Sequence, residues 1–294
     1  MKISIYIIII LCFGLDCFSQ VEPMYGMYRY NPLVISPAYA GKDSVSSVTL
    51  MDRLQWVGVA GAPKTLGVTG SLKTKSKSGF GINFLQDKAG PMRNTIFGVD
   101  YAYHTVLNKN MRFSGGIRAS LNDQSLNLNG LKLIDVNDPN FGQNVRTGFR
   151  PNLGWGVNLS YKNTFISISE PIMFRYNFSD YDKNKNYIDN AHYYIMLGTS
   201  VDISKSIQLK PSMMIRATSN APLSADINLL ANIQEKLDLG LSYRNNNSLG
   251  IQLGYLSFKK YYIGYIYELP TSEIRPSSFQ THELALKYLF TKKQ

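Results

Sequence analysis

The most constraining feature of this sequence is an alternation of apolar side chains with small or polar ones. From Leu237 to Arg244, Leu and Tyr take every second position, and Asp, Gly, Ser and Arg take the positions between them. The same pattern recurs in further segments: 94–107, 110–121, 248–256, 260–269 and 281–290. Because successive side chains of a β-strand point to opposite faces, this alternation predicts strands with one apolar face.

The polar side of the alternation bears on the kind of sheet. A strand in a membrane barrel turns apolar side chains to lipid and small or polar ones to the lumen, with aromatic residues at its ends. Here Gly and Ser share a side with Asp and Arg, and Tyr is frequent near strand ends. A soluble β-sandwich also alternates, but it buries its apolar face and needs no aromatic ends. The sequence therefore favours a transmembrane antiparallel outer-membrane β-barrel, with a sandwich as the alternative.

The first residues indicate the compartment. Lys2 precedes an apolar run from Ile3 to Phe13, and small Ser19 and polar Gln20 follow the run. A spanning helix needs about 20 apolar residues, so residues 1–20 are predicted to be a secretory signal peptide, with a retained helix as the alternative. No second long apolar run follows, and the mean hydropathy is −0.14, which excludes a helical membrane protein.

Both cysteines of the chain, Cys12 and Cys17, lie in this predicted signal peptide. The exported chain would then have no cysteine, and its fold must be stable without disulfides. Leu15 is placed as in a lipidation signal, which makes lipidation of Cys17 an alternative. Asp16 stands where such a signal has a small residue.

Residues 21–294 are predicted to form one barrel of about fourteen strands, since all-β barrels of this length form single domains. The predicted strands lie near 46–55, 64–73, 79–87, 94–107, 110–121, 152–161, 164–173, 192–202, 207–217, 224–233, 237–244, 248–256, 260–269 and 281–290. The long connections all follow odd-numbered strands: 122–151, 174–191 and 270–280. Bacterial barrels have short periplasmic turns and long outer loops, so both termini are predicted to be periplasmic.

The charge of the chain is basic, with 31 Lys and Arg against 20 Asp and Glu, or +11. A basic balance suits nucleic acid, anionic lipid headgroups or an acidic partner. No nucleic-acid motif is present, and an exported protein does not meet nucleic acid. Lys73, Lys75 and Lys77 are interpreted as a solvated turn near the anionic headgroups of outer-membrane lipids.

The sequence offers little for catalysis or cofactor binding. The three histidines are His104, predicted to face the lumen, and His192 and His282, predicted to open strands at the rim. No cysteine, histidine or carboxylate spacing of a metal site occurs, and no motif positions a nucleophile. We therefore predict no catalytic residue, no metal and no cofactor, and assign the chain to the non-enzymes.

A Pro- and Tyr-rich leader, residues 21–44, precedes the first strand. Pro32 and Pro37 exclude a regular helix or central strand, and we expect them to hold the segment extended. Tyrosines are apolar with a hydrogen-bonding tip, which suits a buried site with a polar rim. The leader is therefore predicted either to plug its own barrel or to bind a periplasmic partner.

Two sequence blocks carry a family resemblance. The first consists of Asn31, Pro32, Ser36, Pro37, Ala38, Tyr39, Ala40 and Gly41. The second consists of Arg53, Leu54, Gln55, Trp56, Val57, Gly58, Gly61, Ala62, Pro63, Lys64 and Thr65. With shorter matches at 210–212, 226, 241–244 and 281–284, they resemble the PorP/SprF family. Ser36 stands where Asn is more usual there, and Glu268 where Asp is common.

The resemblance implies an outer-membrane barrel that works with the type IX secretion machinery. Its partners would be periplasmic ring or lipoprotein components, a cargo or adhesin with a C-terminal sorting domain, or both; gliding adhesins are the familiar cargo. The predicted partner-binding or plug residues are Asn31, Pro32, Pro37, Ala38, Tyr39, Ala40, Gly41, Arg53, Trp56, Gly61, Ala62 and Pro63. The alternatives are a passive channel or uptake porin, and an outer-membrane hydrolase using His192 and His282.

The second block carries a specific structural prediction. Arg53, Trp56 and the turn at 61–63 are expected to form one fixed structure. The planar guanidinium of Arg53 suits a carboxylate partner. The predicted lumen-facing candidates are Asp100, Asp226, Asp238 and Glu283.

Overall fold

The computed structural model describes residues 25–128, 144–176, 191–218, 222–245, 247–271 and 279–291. The predicted signal peptide lies outside these residues. Two single-turn 3-10 helices, η1 (Pro32–Val34) and η2 (Pro37–Tyr39), precede the strands. Within the described part of the chain, no helix has the length and apolar character needed to cross a membrane.

In the described part of the chain, sixteen strands follow in one antiparallel sheet. They are β1 (Ser47–Leu54), β2 (Lys64–Lys73), β3 (Ser78–Ala89), β4 (Met92–Asn108), β5 (Met111–Leu126), β6 (Val145–Arg146), β7 (Arg150–Tyr161), β8 (Thr164–Glu170), β9 (His192–Gly198), β10 (Val201–Asp202), β11 (Ile207–Thr218), β12 (Ser224–Ile233), β13 (Leu237–Arg244), β14 (Ser248–Ser257), β15 (Tyr261–Pro270) and β16 (Thr281–Leu289).

Fourteen of these strands close into a barrel. β1 pairs with β16, and the circuit is completed where β9 pairs with β11. The two-residue strands β6 and β10 lie off the circuit, paired to β5 and β11 respectively. The predicted antiparallel barrel of about fourteen strands is confirmed.

The alternation of the sequence becomes the two faces of the wall. Along β1, Ser47, Thr49 and Met51 are buried, whereas Val48 and Leu50 are exposed on the outer face. β14 repeats the pattern from Ser248 to Tyr255. Exposed apolar side chains on the outside and buried polar ones inside are what a lipid-facing wall around a polar lumen requires.

The barrel has two distinct ends. We call one the turn end: it contains the start of β1, the end of β16 and the connections 74–77, 109–110, 162–163, 203–206, 234–236 and 258–260. The other is the loop end, which includes connections 55–63 and 90–91. The turn end is the one predicted to be periplasmic.

Strand ends differ from prediction at a few places. β5 continues to Leu126 and gains β6 as a partner, so the connection that follows is shorter than predicted. β8 ends at Glu170 instead of reaching 173, because Pro171 has no amide hydrogen to continue the ladder.

The leader folds inside the barrel, and it is not extended. Pro32 and Pro37 each begin a 3-10 turn, closed by hydrogen bonds from Ile35 N to Pro32 O at 3.2 Å and from Ala40 N to Pro37 O at 3.0 Å. Proline suits the first position of such a turn because its ring fixes φ and its missing N–H has no partner to lose there. The expectation of an extended leader is therefore wrong.

Candidate functional site in the barrel lumen

The leader fills the lumen and is itself largely inaccessible to solvent. Its buried residues are Tyr25, Gly26, Met27, Tyr28, Asn31, Leu33, Val34, Ile35, Ser36, Pro37, Ala38, Ala40 and Gly41. Several of them form a common apolar cluster with wall residues, among them Met51, Leu85, Ile96 and Tyr194. The leader therefore takes the place that a hydrophobic core has in a soluble domain.

Glu283 of β16 fixes the beginning of the described leader. Its carboxylate accepts hydrogen bonds from the backbone N–H of Gly26 at 2.8 Å and of Met27 at 3.0 Å. The same carboxylate pairs with Arg53 of β1 at 2.7 Å. One fully buried acid thus joins the barrel wall to the leader backbone.

Arg53 is the centre of a buried charge network. It is 1% exposed, and its second nitrogen pairs with Glu268 of β15 at 2.6 Å. Arg244 of β13 lies 3.7 Å from Glu268 and forms a closer ion pair with Asp226 of β12. Buried charges are tolerated only when they are paired and hydrogen-bonded.

The network contains three acids and two cations. Without the leader, the Glu283 carboxylate would keep Arg53 as its hydrogen-bond donor and lose the two backbone N–H donors. The two N–H groups of Gly26 and Met27 supply the missing hydrogen bonds to Glu283. Hydrogen bonds to an ionised carboxylate are stronger than neutral ones, so these two contacts contribute strongly to seating the leader.

A second anchor lies halfway along the leader. Arg118 of β5 donates to the carbonyl oxygens of Leu33 at 2.6 Å and Val34 at 3.0 Å, and pairs with Asp100 of β4 at 2.7 Å. Ser169 of β8 donates to the Ile35 carbonyl at 2.8 Å. These carbonyl groups belong to the 3-10 turns and would otherwise lack partners.

Glycines in the wall make room for the leader backbone. A Cβ added at Gly116 would lie 2.5 Å from the carbonyl carbon of Pro37, and one at Gly79 would collide with the carbonyl oxygen of Ala40. Gly41 has φ +64°, and an added Cβ would lie 2.6 Å from Leu72 O. Only glycine fits such close approaches, and at Gly41 it also suits the left-handed backbone.

The leader leaves the lumen at the turn end. Tyr39 OH accepts from Asn158 at 2.9 Å, and the His104 ring donates from Nε2 to the Ala40 carbonyl at 2.8 Å. Lys42 Nζ donates a hydrogen bond to Asn158 Oδ1. The same ammonium group lies over the Tyr39 ring, 4.6 Å from its centre, in a cation–π contact. Burial lowers the pKa of Lys42 to about 8. The negative charge of Asp43 acts to raise this pKa, and the positive charge of Arg112 acts to lower it further.

The second sequence block is divided between two places. Arg53 points into the lumen, whereas Trp56 lies on the loop end and is 42% exposed. The loop that contains Trp56 is closed by Gln55 N to Pro63 O at 3.0 Å, and Gly61 O accepts from Gly90 N at 2.8 Å. Trp56, Gly61, Ala62 and Pro63 are therefore parts of an ordered rim loop, separate from Arg53.

The first block, by contrast, is brought together in the lumen. Asn31 accepts a hydrogen bond from Thr69 of β2 at 2.9 Å. Pro32 and Pro37 begin the two turns, and Ala38 and Ala40 have no exposed surface. Tyr39 and Gly41 contact the wall as described above. All seven predicted leader residues lie inside the barrel.

Sequence reasoning identified one of the two Arg53 partners. Of the four candidate acids, Glu283 pairs with Arg53, while Asp100 and Asp226 pair with Arg118 and Arg244. The remaining candidate, Asp238, accepts from Asn232 at 2.6 Å.

Glu268 and Arg118 were not singled out as leader-binding or Arg53-binding residues. Both occupy lumen-facing positions of the alternation, which was the available signal. Alternation gives the face of a strand but not the height at which two side chains meet.

Two of the three histidines bond neighbouring groups, and His192 is buried at the start of β9. His104 bonds the leader, and His282 Nδ1 lies 2.6 Å from the Tyr265 hydroxyl. Within the described ranges, no three His, Cys, Asp or Glu side chains are grouped so as to hold a metal ion.

Comparisons with solved structures agree with this architecture. Acinetobacter baumannii outer membrane protein Omp33 superposes with a TM-score of 0.50 and 10% identity, covering 85% of this chain and 100% of that chain. The CymD monoaromatic hydrocarbon channel gives a TM-score of 0.53 with 10% identity, over 94% of this chain and 96% of that chain. Identities this low show the fold alone. The search of curated proteins gives no match.

Fold and lumen together define an integral β-barrel protein of the outer membrane. A family model for the type IX secretion system membrane protein PorP/SprF matches residues 17–288, nearly the whole chain. The chain belongs to the PorP/SprF family, as its sequence blocks indicated.

Proposed function

We propose that this protein is a non-enzymatic accessory of type IX secretion. It would associate with periplasmic ring or lipoprotein components, with the C-terminal sorting domain of a secreted cargo or adhesin, or with both. In that role it supports export or surface attachment, including that of gliding adhesins. Family membership over residues 17–288 is the observation that carries the proposal.

The filled lumen supports an accessory role over transport through the barrel. Leader residues are hydrogen-bonded to strands on several sides: Glu283 on β16, Arg118 on β5, Ser169 on β8 and Thr69 on β2. A leader held on so many sides is a plug. Partners would then meet the rims of the barrel and its outer surface.

A passive channel or uptake porin is the second candidate. Charged side chains in the lumen, Arg53 and Arg118 among them, favour it because such groups can filter ions in a channel, and the plug speaks against it. Deleting residues 25–41 separates the two candidates. A plugged accessory gains ion conductance in planar bilayers on deletion, whereas the parent conducts little. A parent that already conducts as well as the deletion would favour the porin.

Export is the direct test of the accessory role. In a strain lacking the gene, proteins with C-terminal sorting domains should disappear from the medium or cell surface, and the parent gene should restore them. An unchanged set of exported proteins, with the barrel verified absent by immunoblot, would contradict the proposal.

A further inference from the structure

The turn end of the barrel is basic all the way round. Each of its six connecting turns, all of which the structure describes, contains at least one lysine. These lysines are Lys75, Lys77, Lys109, Lys162, Lys205, Lys236, Lys259 and Lys260. The only acid within these turns is Glu235. The rim therefore presents a nearly uniform positive surface.

A second set of cations lines the mouth inside this rim. Lys73, Arg112, Lys210 and Lys287 hold lumen-facing positions at the turn end of β2, β5, β11 and β16. The leader adds its own Arg29 and Lys42 to the same mouth, as their contacts with Thr199 and Asn158 show. The described acids nearby are Asp43, Asp202, Glu235 and Asp238.

Three of these mouth cations are not held by a hydrogen bond or a close ion pair to any described residue, although the Asp238 and Glu235 carboxylates attract Lys210 from farther away. Lys287 pairs with Asp43 at 3.0 Å, and Arg29 and Lys42 are hydrogen-bonded to the wall. Among the described residues, the side chains of Lys73, Arg112 and Lys210 have no hydrogen bond or ion pair. Lys73 and Arg112 are also exposed, and Lys210 is half-buried.

The mouth cations lie on the lumen side of the wall, which favours a protein partner over lipid. At this level the lipid-facing side of the wall carries exposed apolar and aromatic side chains, including Leu72, Tyr103, Tyr161, Tyr255 and Tyr261. Lys73, Arg112 and Lys210 lie on the opposite face of their strands. Lipid headgroups surround the outside of a barrel, so they do not reach side chains that face its mouth.

We propose that the turn end is a docking surface for an acidic segment of a periplasmic protein, seated over the mouth on Lys73, Arg112 and Lys210. This rests on the proposed association with periplasmic secretion components and specifies the chemistry of the contact. Individual exposed ion pairs are weak and screened by salt, so the segment must engage several cations together. Binding should therefore weaken steeply as salt rises.

The test uses the purified full-length protein in detergent and a fluorescent poly-glutamate peptide as probe. Peptide binding is measured by fluorescence anisotropy. The variant K73Q/R112Q/K210Q removes the mouth cations, and the control K109Q/K162Q/K236Q removes the same charge from the turns. The mouth variant should lower peptide affinity by about tenfold, and the turn control by about threefold or less.

Several outcomes would overturn the proposal. One is a parent that does not bind the peptide at low salt, and another is an equal loss in both variants. A third is evidence that the mouth binds anionic lipid instead. In that case the mouth variant would lose thermal stability in phosphatidylglycerol bilayers but not in phosphatidylcholine bilayers, and its peptide binding would be unchanged. The heat-dependent gel mobility of folded barrels verifies that each variant is folded.

Failure here is distinguishable from failure of the proposed function. If the gene deletion stops export but the parent does not bind the acidic peptide, the docking surface is wrong and the secretion role stands. If export is unaffected by the deletion, the secretion role is wrong whatever the peptide result.

Discussion

Replacing Arg53 with alanine removes the cation shared by two buried carboxylates. Arg53 pairs with Glu268 at 2.6 Å and with Glu283 at 2.7 Å, and the side chains of all three are at most 4% exposed. After the change, Glu268 retains Arg244 at 3.7 Å, and Glu283 retains the backbone N–H groups of Gly26 and Met27. Two carboxylates would then be buried with incomplete compensation.

The expected loss of stability is large. Removing one partner of a buried ion pair destabilises by about 3–5 kcal/mol, because an uncompensated charge stays buried. A change of 1 kcal/mol shifts the melting temperature of a chain approaching this size by about 2–4 °C, so Arg53→Ala should lower it on the order of 10 °C.

The matched control is Arg146→Ala on the same barrel. Arg146 also pairs with a carboxylate, Asp123 at 2.5 Å, but its side chain is 64% exposed. An exposed pair is worth about 0–1 kcal/mol, so the melting temperature should fall by about 4 °C or less. Both variants are compared in one detergent, by circular dichroism and by the temperature at which gel mobility changes.

A second variant tests the electrostatic cause. The neutral combination R53M/E268Q/E283Q removes the arginine without leaving unpaired acids, so it should be more stable than Arg53→Ala. Equal melting temperatures of Arg53→Ala and Arg146→Ala would contradict a stabilising buried charge network. So would a neutral combination that is no more stable than Arg53→Ala.

Two further predictions concern the leader and the orientation. Gly116→Ala places a Cβ 2.5 Å from the leader backbone, so it should raise bilayer conductance and the protease sensitivity of the leader. Gly115→Ala, whose Cβ would meet only a ring 3.5 Å away, should behave like the parent, and equal behaviour of the two would contradict the seating described above. For orientation, a cysteine at Lys109 should react with an impermeant reagent only after the outer membrane is permeabilised, and one at Val59 should react in intact cells. The reverse labelling pattern would mean that the turn end faces the outside of the cell and not the periplasm.

The wall of this barrel is predictable because one physical rule sets it. Lipid on one side and a polar interior on the other force alternation at every spanning strand, and the alternation is local in sequence. The segment from Leu237 to Arg244 therefore matches β13 at both ends. The early end of β8 has a local cause in Pro171, which directly follows the strand.

The interior could be predicted only in part. Alternation placed Glu283 on the lumen face, but the pairing of Arg53 with Glu268 depends on the shear of the closed barrel. The route of the leader depends on glycines such as Gly116 and Gly79, which lie far from it in sequence. A glycine inside a strand signals a close approach but does not say what approaches.

The most direct test of the secretion role is co-purification of the tagged full-length protein from native membranes, quantified by mass spectrometry against an equally tagged, unrelated outer-membrane barrel. We expect enrichment of periplasmic type IX secretion components, of a protein with a C-terminal sorting domain, or of both. Recovery of the same proteins with both barrels, together with steady ion conductance of the intact protein in planar bilayers, would contradict a role in secretion and favour a porin.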